Sequence, residues 1–478
     1  MRIAEAFVAA SAETVHERRV REVCERIRQR PPHKTVRIQK RGSHSIHASA
    51  DKSQAHLINV EGFDQILNLD TAGQTVTVEC HVTVRQLCDY TLRYGLAPLV
   101  VPEFQDFTVG GLFAGEGIQT SAHKYGVFSS SVSEIEIVTA TGEVIHATPD
   151  NEHADLFYAA RGTFSTIGVI TALKIKLRRA DEYVVSRYYS VSDLEEYCRL
   201  LSWYKGNCEF LDGVVFGPHH YVVIVSEFAS KEEVEREKLT VFKPLERGEE
   251  WYYYYVGRTR RRGVVKDAIP TIDFLFRSHR GLWWIAECYL DSKLLAGSRW
   301  VREKVDDQTE AALAESGFDD PWLKLEERER CLIHQDLLVT ESRIPELIRY
   351  VQKHIKLYPI WTCIVDTAQI GRAGLPGFIA DIGLYGEPMI KGYHAFKANR
   401  ELQKMSDLPS FWGNSYLTAD EWDQTYNLSA YENARRKYQA EGVFLHIKER
   451  VRFVQSRDNA QGKIRAWRLL RLIRMLMK

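Results

Sequence analysis

The sequence predicts an α+β fold, with α/β as its nearest alternative, arranged as two main domains and a helical tail. Three observations lead there. Short strands and helices alternate over residues 35–94 in the order strand, short helix, strand, helix. Composition changes near Arg178–Tyr183, where a second series of strands and charged helices begins. The chain has 478 residues, 45% apolar and 27% charged, enough for roughly three units of ~150 residues and close to globular averages. A disordered or fibrous protein is excluded. Lys+Arg and Asp+Glu are both 64, so bulk charge does not hold the chain on nucleic acid.

Each element follows from its local pattern. Residues 13–30 read as a charged helix with Val15, Val20, Val23 and Ile27 on one stripe, stopped by Pro31 and Pro32. Strands are expected at Thr35–Gln39 and His56–Val60, then a helix-like turn from Glu61. Thr75–Cys80 alternates as a half-buried strand does. Thr83–Tyr94 has helical spacing and ends at Gly95. Glu134–Ala140 and Glu143–Ala147 flank Thr141-Gly142 as a hairpin. Asp155 opens an Asp-Leu-Phe-Tyr-Ala-Ala run, and Val169–Leu177 is the last strand of the first unit. The boundaries expected are 1–180, 181–390, a helical part at 391–450 packing back on the first domain, and a basic helix at 463–478. The second unit should hold strands at Gly213–Phe216 and Tyr221–Phe228, with helices at Lys231–Lys238 and Ser298–Glu315.

Eight cysteines are scattered along the chain without C-x-x-C spacing. That disfavours zinc ribbons and redox pairs, and it fits buried thiols in a reducing compartment, the cytosol or the cytosolic face of a membrane. No window of about 18 uncharged apolar residues is present, so no spanning helix is expected.

Two segments carry chemistry. Arg41-Gly42-Ser43-His44-Ser45 is a Gly/Ser turn with a cation beside it, suited to a diphosphate or simply a polar turn. Residues 108–118, Thr-Val-Gly-Gly-Leu-Phe-Ala-Gly-Glu-Gly-Ile, hold four glycines that would let the backbone approach a ligand. Their spacing, G-G-x-x-x-G-x-G, is neither a Rossmann fingerprint nor a P-loop.

The run from Pro102-Glu103 through Thr108-Val-Gly-Gly-Leu, with Gly115-x-Gly117-Ile and Ser121-Ala-His123-Lys124-Tyr125-Gly126, closely resembles the flavin-binding domain of the delta(24)-sterol reductases, within the vanillyl-alcohol-oxidase superfamily. The likeness continues at Ile137–Val144 and Asp155–Tyr158, and returns at Gln335–Val339, Tyr358–Trp361 and Asp381–Pro388, so it spans about residues 15–440. It implies a PCMH-type FAD-binding domain of two α+β subdomains with a second α+β substrate or cap domain. FAD would lie between the subdomains, its diphosphate against 41–45 and 108–120. Cofactor contacts then fall to Arg41, Gly42, Ser43, Ser45, Thr108, Val109, Gly110, Gly111, Gly115, Gly117, Ile118 and Thr120, with Thr163–Gly168, Gly168 included, lining the flavin. His44 is expected to hydrogen-bond rather than link covalently.

The implied reaction is reduction of a lipid C=C bond, the delta-24 bond of a sterol side chain, with NADPH as electron donor. Alternatives are reduction of a methylene or unsaturated acyl lipid, a flavin alcohol oxidase, and a silent flavin-binding protein at a membrane. A proton donor is required; His123, Lys124 and Tyr125 after the glycine-rich run and Tyr385 and Glu387 from the distant block are candidates, with Tyr125 and Glu387 preferred. No metal is expected. Tyr252–Tyr255 followed by Arg258 and Arg260–Arg262 reads either as a contact for NADPH phosphate or a membrane, or as a solvated loop with an aromatic edge.

At the C-terminus, residues 463–478 carry six cations and no acid, which leaves the rest of the chain at −6 (0 minus 6). Arg465, Arg468, Arg471 and Arg474 recur beside Trp467, Leu470 and Ile473, as in a basic helix lying in an anionic interface. Animal members of the family carry an N-terminal membrane segment that this sequence does not show, and the basic helix is expected to serve instead.

Overall fold

The computed structural model describes residues 2–40, 52–284, 299–300, 302–303, 305–307, 332–370, 377–390, 393–408 and 414–451. The turn at 41–45, with Arg41, Gly42, Ser43, His44 and Ser45, and the basic helix at 463–478 lie outside them. So does most of the helix expected at Ser298–Glu315.

Helix α1 (Arg2–Arg28) buries Val20, Val23 and Ile27. Two short parallel strands follow, β1 (Val36–Gln39) and β2 (His56–Asn59). The first sheet comprises β3 (Ile66–Asp70), β4 (Thr75–Glu79), β5 (Leu96–Pro98), β6 (Val132–Val138), β7 (Val144–Ala147) and β8 (Val169–Arg179). Its order is β3-β4-β8-β6-β7, with β5 paired to the far end of β8. The hairpin β6–β7 turns at Gly142, whose φ of +74° only a glycine adopts cheaply. The turn expected from Glu61 is a single one, closed by the Phe63 N–H donating to the Val60 carbonyl at 3.0 Å, and the chain then enters β3. Its alternation of half-buried and exposed residues at the sheet edge is weak in the sequence because neither face is fully covered.

The second sheet has seven antiparallel strands, β9 (Tyr183–Val191), β10 (Phe210–Gly217), β11 (His220–Ala229), β12 (Lys266–Pro270), β13 (Ile333–Thr340), β14 (Ile360–Asp366) and β15 (Phe378–Gly386). They lie in the order β12-β9-β11-β10-β14-β15-β13. The chain passes from one sheet to the other between Arg179 and Tyr183.

Two helices close the first unit. Helix α2 (Val84–Thr91) starts with a Thr83–Gln86 capping box. Helix α3 (Val109–Gly115) forms within the glycine-rich run itself. Thr108 caps it by accepting from the Gly111 N–H at 3.3 Å, and Val109, Leu112 and Phe113 bury its inner face. Burial of that stripe outweighs the poor helix propensity of its glycines.

The tail folds back onto the first unit. Tyr431 and Arg435 of the helix Ser429–Lys437 hold the turn at Thr166, and Tyr438 donates to Asp155 at 2.9 Å. The basic-aromatic cluster is a helix, Tyr252–Arg262, rather than a loop. Tyr252, Tyr253 and Tyr255 are buried, while Arg258 and Arg262 pair with Glu250.

Candidate active site

One cavity of about 350 Å3 lies between α3 and the β13–β15 end of the second sheet, within the usual range for small-molecule sites. Its middle is apolar, walled by Phe104, Leu112, Ile118, Phe164, Trp283 and Trp361. Its two ends are opposite in chemistry.

The first end is cationic. Arg37 of β1, Lys40, Lys52 and Arg450 all line it. Arg37 Nη2 and Arg450 Nε are buried without a hydrogen-bond partner. Lys40 Nζ donates to Thr108 Oγ1 at 3.0 Å. Burial pulls the Lys40 ammonium down to about 8, with Lys52 adding to the effect. Burial, together with neighbouring Arg37, brings the Arg450 guanidinium down to about 10. Lys52 donates to the Ile38 carbonyl at 3.1 Å, but burying the Arg37 and Arg450 donors without acceptors is costly. A diphosphate would supply the missing acceptors through charge-assisted hydrogen bonds. The donors present therefore fit the pyrophosphate of FAD.

The glycines divide into two kinds. A Cβ at Gly110 would sit 2.9 Å from the Cys80 carbonyl oxygen, and one at Gly117 would sit 2.9 Å from Pro102 and Leu112. These two allow protein to pack on protein. At Gly111 a Cβ would meet only the Thr108 hydroxyl (2.9 Å) and the Lys40 ammonium (3.4 Å), and at Gly115 only the Phe164 ring, at 3.6 Å. These two leave room on the cavity side.

Thr108, Gly110, Gly111, Gly115, Gly117 and Ile118 all line the cavity, as do Phe164, Ser165 and Thr166. Phe164 and Ser165 both hold positive φ, +51° and +57°, an uncommon backbone state for side-chain-bearing residues. Val109, Thr120 and Gly168 are not among the lining residues. Val109 is buried, and its N–H donates to Val82. Thr120 lies at the joint between the sheets, its hydroxyl accepting from Arg277 at 3.2 Å and its carbonyl from Leu211 at 2.9 Å. Gly168 packs on β6, where a Cβ would meet Ile137 at 2.7 Å.

The other end is acidic. His334 and Asp336 on β13 face Tyr385 and Asp381 on β15, and the register sets His334 opposite Tyr385 and Asp336 opposite Gly383. Without a side chain at Gly383, the Tyr385 ring lies over that position, 3.0 Å from where a Cβ would be. From there its hydroxyl donates to Asp336 Oδ1. Glu103 reaches in from the loop before α3 and accepts from Trp283 Nε1 and Gln119 Nε2, each at 2.8 Å. Asp381 Oδ1 is buried without a partner.

Burial is the largest influence on all three carboxyls, and it raises them. Asp336 stands at about 7, with Glu103 pushing the same way and the Tyr385 hydrogen bond opposing. Asp381 is raised well above the carboxylate range by burial, Asp336 and Glu103, and Glu103 is raised as well. Like charges this close do not all ionise near neutrality.

Tyr125 and Glu387 are placed elsewhere. Tyr125 donates to Glu209 at 3.1 Å beneath the Arg178 guanidinium, in a buried ionic cluster. Glu387 directly follows β15, half-buried, two residues beyond Tyr385. Neither is among the lining residues. The acid groups that do face the cavity are Tyr385, which the sequence also offers as a donor, and Glu103, Asp336 and Asp381, which it offers only as parts of the family motifs. Their signal was available. An Asp in the middle of Phe-Ile-Ala-Asp-Ile-Gly-Leu-Tyr, an otherwise apolar strand, calls for a reason to be buried.

Among the described residues no helix is long and apolar enough to cross a membrane, and no group of side chains could hold a metal ion.

Residues 9–148 match the FAD binding domain family. The chain is 28% identical to the Delta(24)-sterol reductase of Homo sapiens, over 93% of this chain and 88% of the human protein. It is 27% identical to the Arabidopsis thaliana protein of the same name, over 82% of this chain and 75% of that one. A shorter likeness, 31% over 156 residues, links 32% of this chain to 30% of Cytokinin dehydrogenase 9 of Oryza sativa subsp. japonica. The chain is thus similar along most of its length to the delta(24)-sterol reductases, and its residues 9–148 match an FAD binding domain.

Proposed function

We propose that the protein is an FAD-dependent oxidoreductase that reduces the delta-24 double bond of a sterol side chain, with NADPH as the electron donor. The observation that carries this is one continuous cavity, which joins a cationic end with unsatisfied guanidinium donors to an aromatic and aliphatic middle. Arg37, Lys40, Lys52 and Arg450 would hold the diphosphate, and Gly111 and Gly115 would give it room. When bound, FAD supplies the hydride chemistry that no side chain can provide. The walls formed by Phe104, Phe164, Trp283 and Trp361 exclude water and match an alkenyl side chain. A lipid substrate also suits a protein held at an anionic membrane surface through residues 463–478.

The test is anaerobic. Purified protein should be yellow, NADPH should bleach it, and a delta(24)-unsaturated sterol should restore the colour with a product two hydrogens heavier by mass spectrometry. A flavin that NADPH leaves oxidised removes the NADPH assignment, and a reduced flavin indifferent to the sterol removes the substrate.

A further inference from the structure

We propose that Asp336 is the proton donor of the reduction, oriented by Tyr385 and recharged from a small polar cavity behind it. The proposal rests on the alkene-reductase reading above.

Reducing an isolated C=C bond adds one hydride and one proton. The Asp336 O–H bond breaks and its proton forms a C–H bond with the π electron pair at one alkene carbon. The other carbon receives the hydride that reduced flavin supplies, and Asp336 is left as a carboxylate. The site must therefore present a carboxyl that is protonated near neutral pH, faces the apolar cavity and can be reprotonated.

Asp336 meets each condition. It lines the main cavity together with Trp283, Trp361 and Tyr385. On its other side it lines a second cavity of about 30 Å3 with Gln335, Ser406, Asn414 and Tyr426, large enough and polar enough for a water molecule. The titratable groups sharing its two cavities are His334 on its own strand, Asp381 and Tyr385 on β15, Glu103 from the loop before α3 and Tyr426 from behind. The unpartnered Asp381 Oδ1, buried in the same cavity wall, shows that this end is built to keep protons rather than charge. Burial and the nearby Glu103 carboxyl hold Asp336 at about 7, so it is largely protonated below that pH and spent above it.

Tyr385 is a positioning residue. Its hydrogen bond lowers Asp336, because it stabilises the carboxylate. Removing the hydroxyl must therefore shift the acid group upward.

Three measurements on the full-length, FAD-loaded chain decide the matter. In an infrared pH titration, the carbonyl band of a buried carboxylic acid should fade through about pH 7 in wild type and be missing in Asp336→Asn; identical spectra would overturn the proposal. In single turnover, Asp336→Asn should be bleached by NADPH at the wild-type rate yet reoxidised by a delta(24)-unsaturated sterol at least about 100-fold more slowly. Wild-type reoxidation in that variant would sink the acid role and leave the reductase reading standing. Failure of wild type itself to reoxidise would end both. Should Asp336→Asn not fold, Tyr385→Phe decides through its pH profile: the fall in rate with rising pH should move to higher pH, and an unmoved or lowered limb refutes the pairing.

Discussion

The two ends of the cavity are both electrostatically unsatisfied, but in opposite ways. At the α3 end, Arg37 and Arg450 have donors with nothing to bond, and Lys40 leans on a neutral hydroxyl. At the β13–β15 end, Asp336, Asp381 and Glu103 crowd together, and there the remedy is internal, since a carboxyl can take up a proton. A guanidinium cannot give one up at any physiological pH. The cationic end therefore waits for an anion from outside, while the acidic end stores protons.

The largest expected effect breaks this comparison at the cationic end. In Arg37→Met/Lys40→Met, FAD affinity should fall by about a thousandfold. Two charge-assisted hydrogen bonds at ~1.5–3 kcal/mol each are removed. The melting temperature of the FAD-free protein should stay level or rise, because buried cations without partners cost stability. Equilibrium dialysis and calorimetry read the two numbers separately. A lower melting temperature with unchanged affinity would make these cations structural.

A third cluster shows what a self-sufficient ionic site looks like. His16 bonds Glu79 through Nδ1 at 2.8 Å and Glu136 through Nε2 at 2.9 Å, and Arg19 also pairs with Glu79 at 3.2 Å. Burial by itself would lower His16, but the two carboxylates outweigh it and hold the imidazolium at about 9. Its folded value thus lies above the unfolded 6.5. Between those values the folded state binds a proton that the unfolded chain has released, so stability falls as pH rises through this window. The contribution, up to about 3 kcal/mol, is complete below 6.5 and gone above 9. His16→Gln should flatten denaturant-derived stability between pH 6.5 and 9, with FAD affinity unchanged. A slope equal to wild type would mean that another group carries the linkage.

How much of this was legible in the sequence depends on how local each feature is. The stripe Val20-Val23-Ile27, the alternation in Thr75–Glu79 and the turn at Gly142 are local patterns, and each stands where the pattern puts it. The glycine-rich wall was legible too, because its residues are contiguous. The ends of the cavity were not. Arg37 and Arg450 come from opposite ends of the chain, and Glu103, Asp336 and Asp381 from three separate segments brought together by the second sheet. No periodicity marks residues whose partners are chosen by strand order. Tyr125 drew notice because it adjoins the glycines, yet its contacts lead to Glu209 and Arg178. Gly110 and Gly111, adjacent and alike in sequence, serve different neighbours for the same reason.

That last pair yields the smallest expected effect and the sharpest one. Gly110→Ala places a methyl against the Cys80 carbonyl oxygen and Cβ, each 2.9 Å away, and neither can rotate aside. Helix α3 must then shift from β4, which overpacking data put at about 1–3 kcal/mol. Gly111→Ala meets the Thr108 hydroxyl and the end of Lys40, which are the groups that border the proposed diphosphate. Helix propensity favours alanine there by up to about 1 kcal/mol, offsetting the small displacement of the cap. Thermal stability of Gly111→Ala should therefore lie within about 0.5 kcal/mol of wild type, while its FAD content drops. Gly110→Ala should lose stability first and FAD only as a consequence. If the two variants lose stability equally and bind FAD equally, the division of the glycines into packing and ligand-facing positions is wrong, and the wall of α3 is scaffold along its whole length.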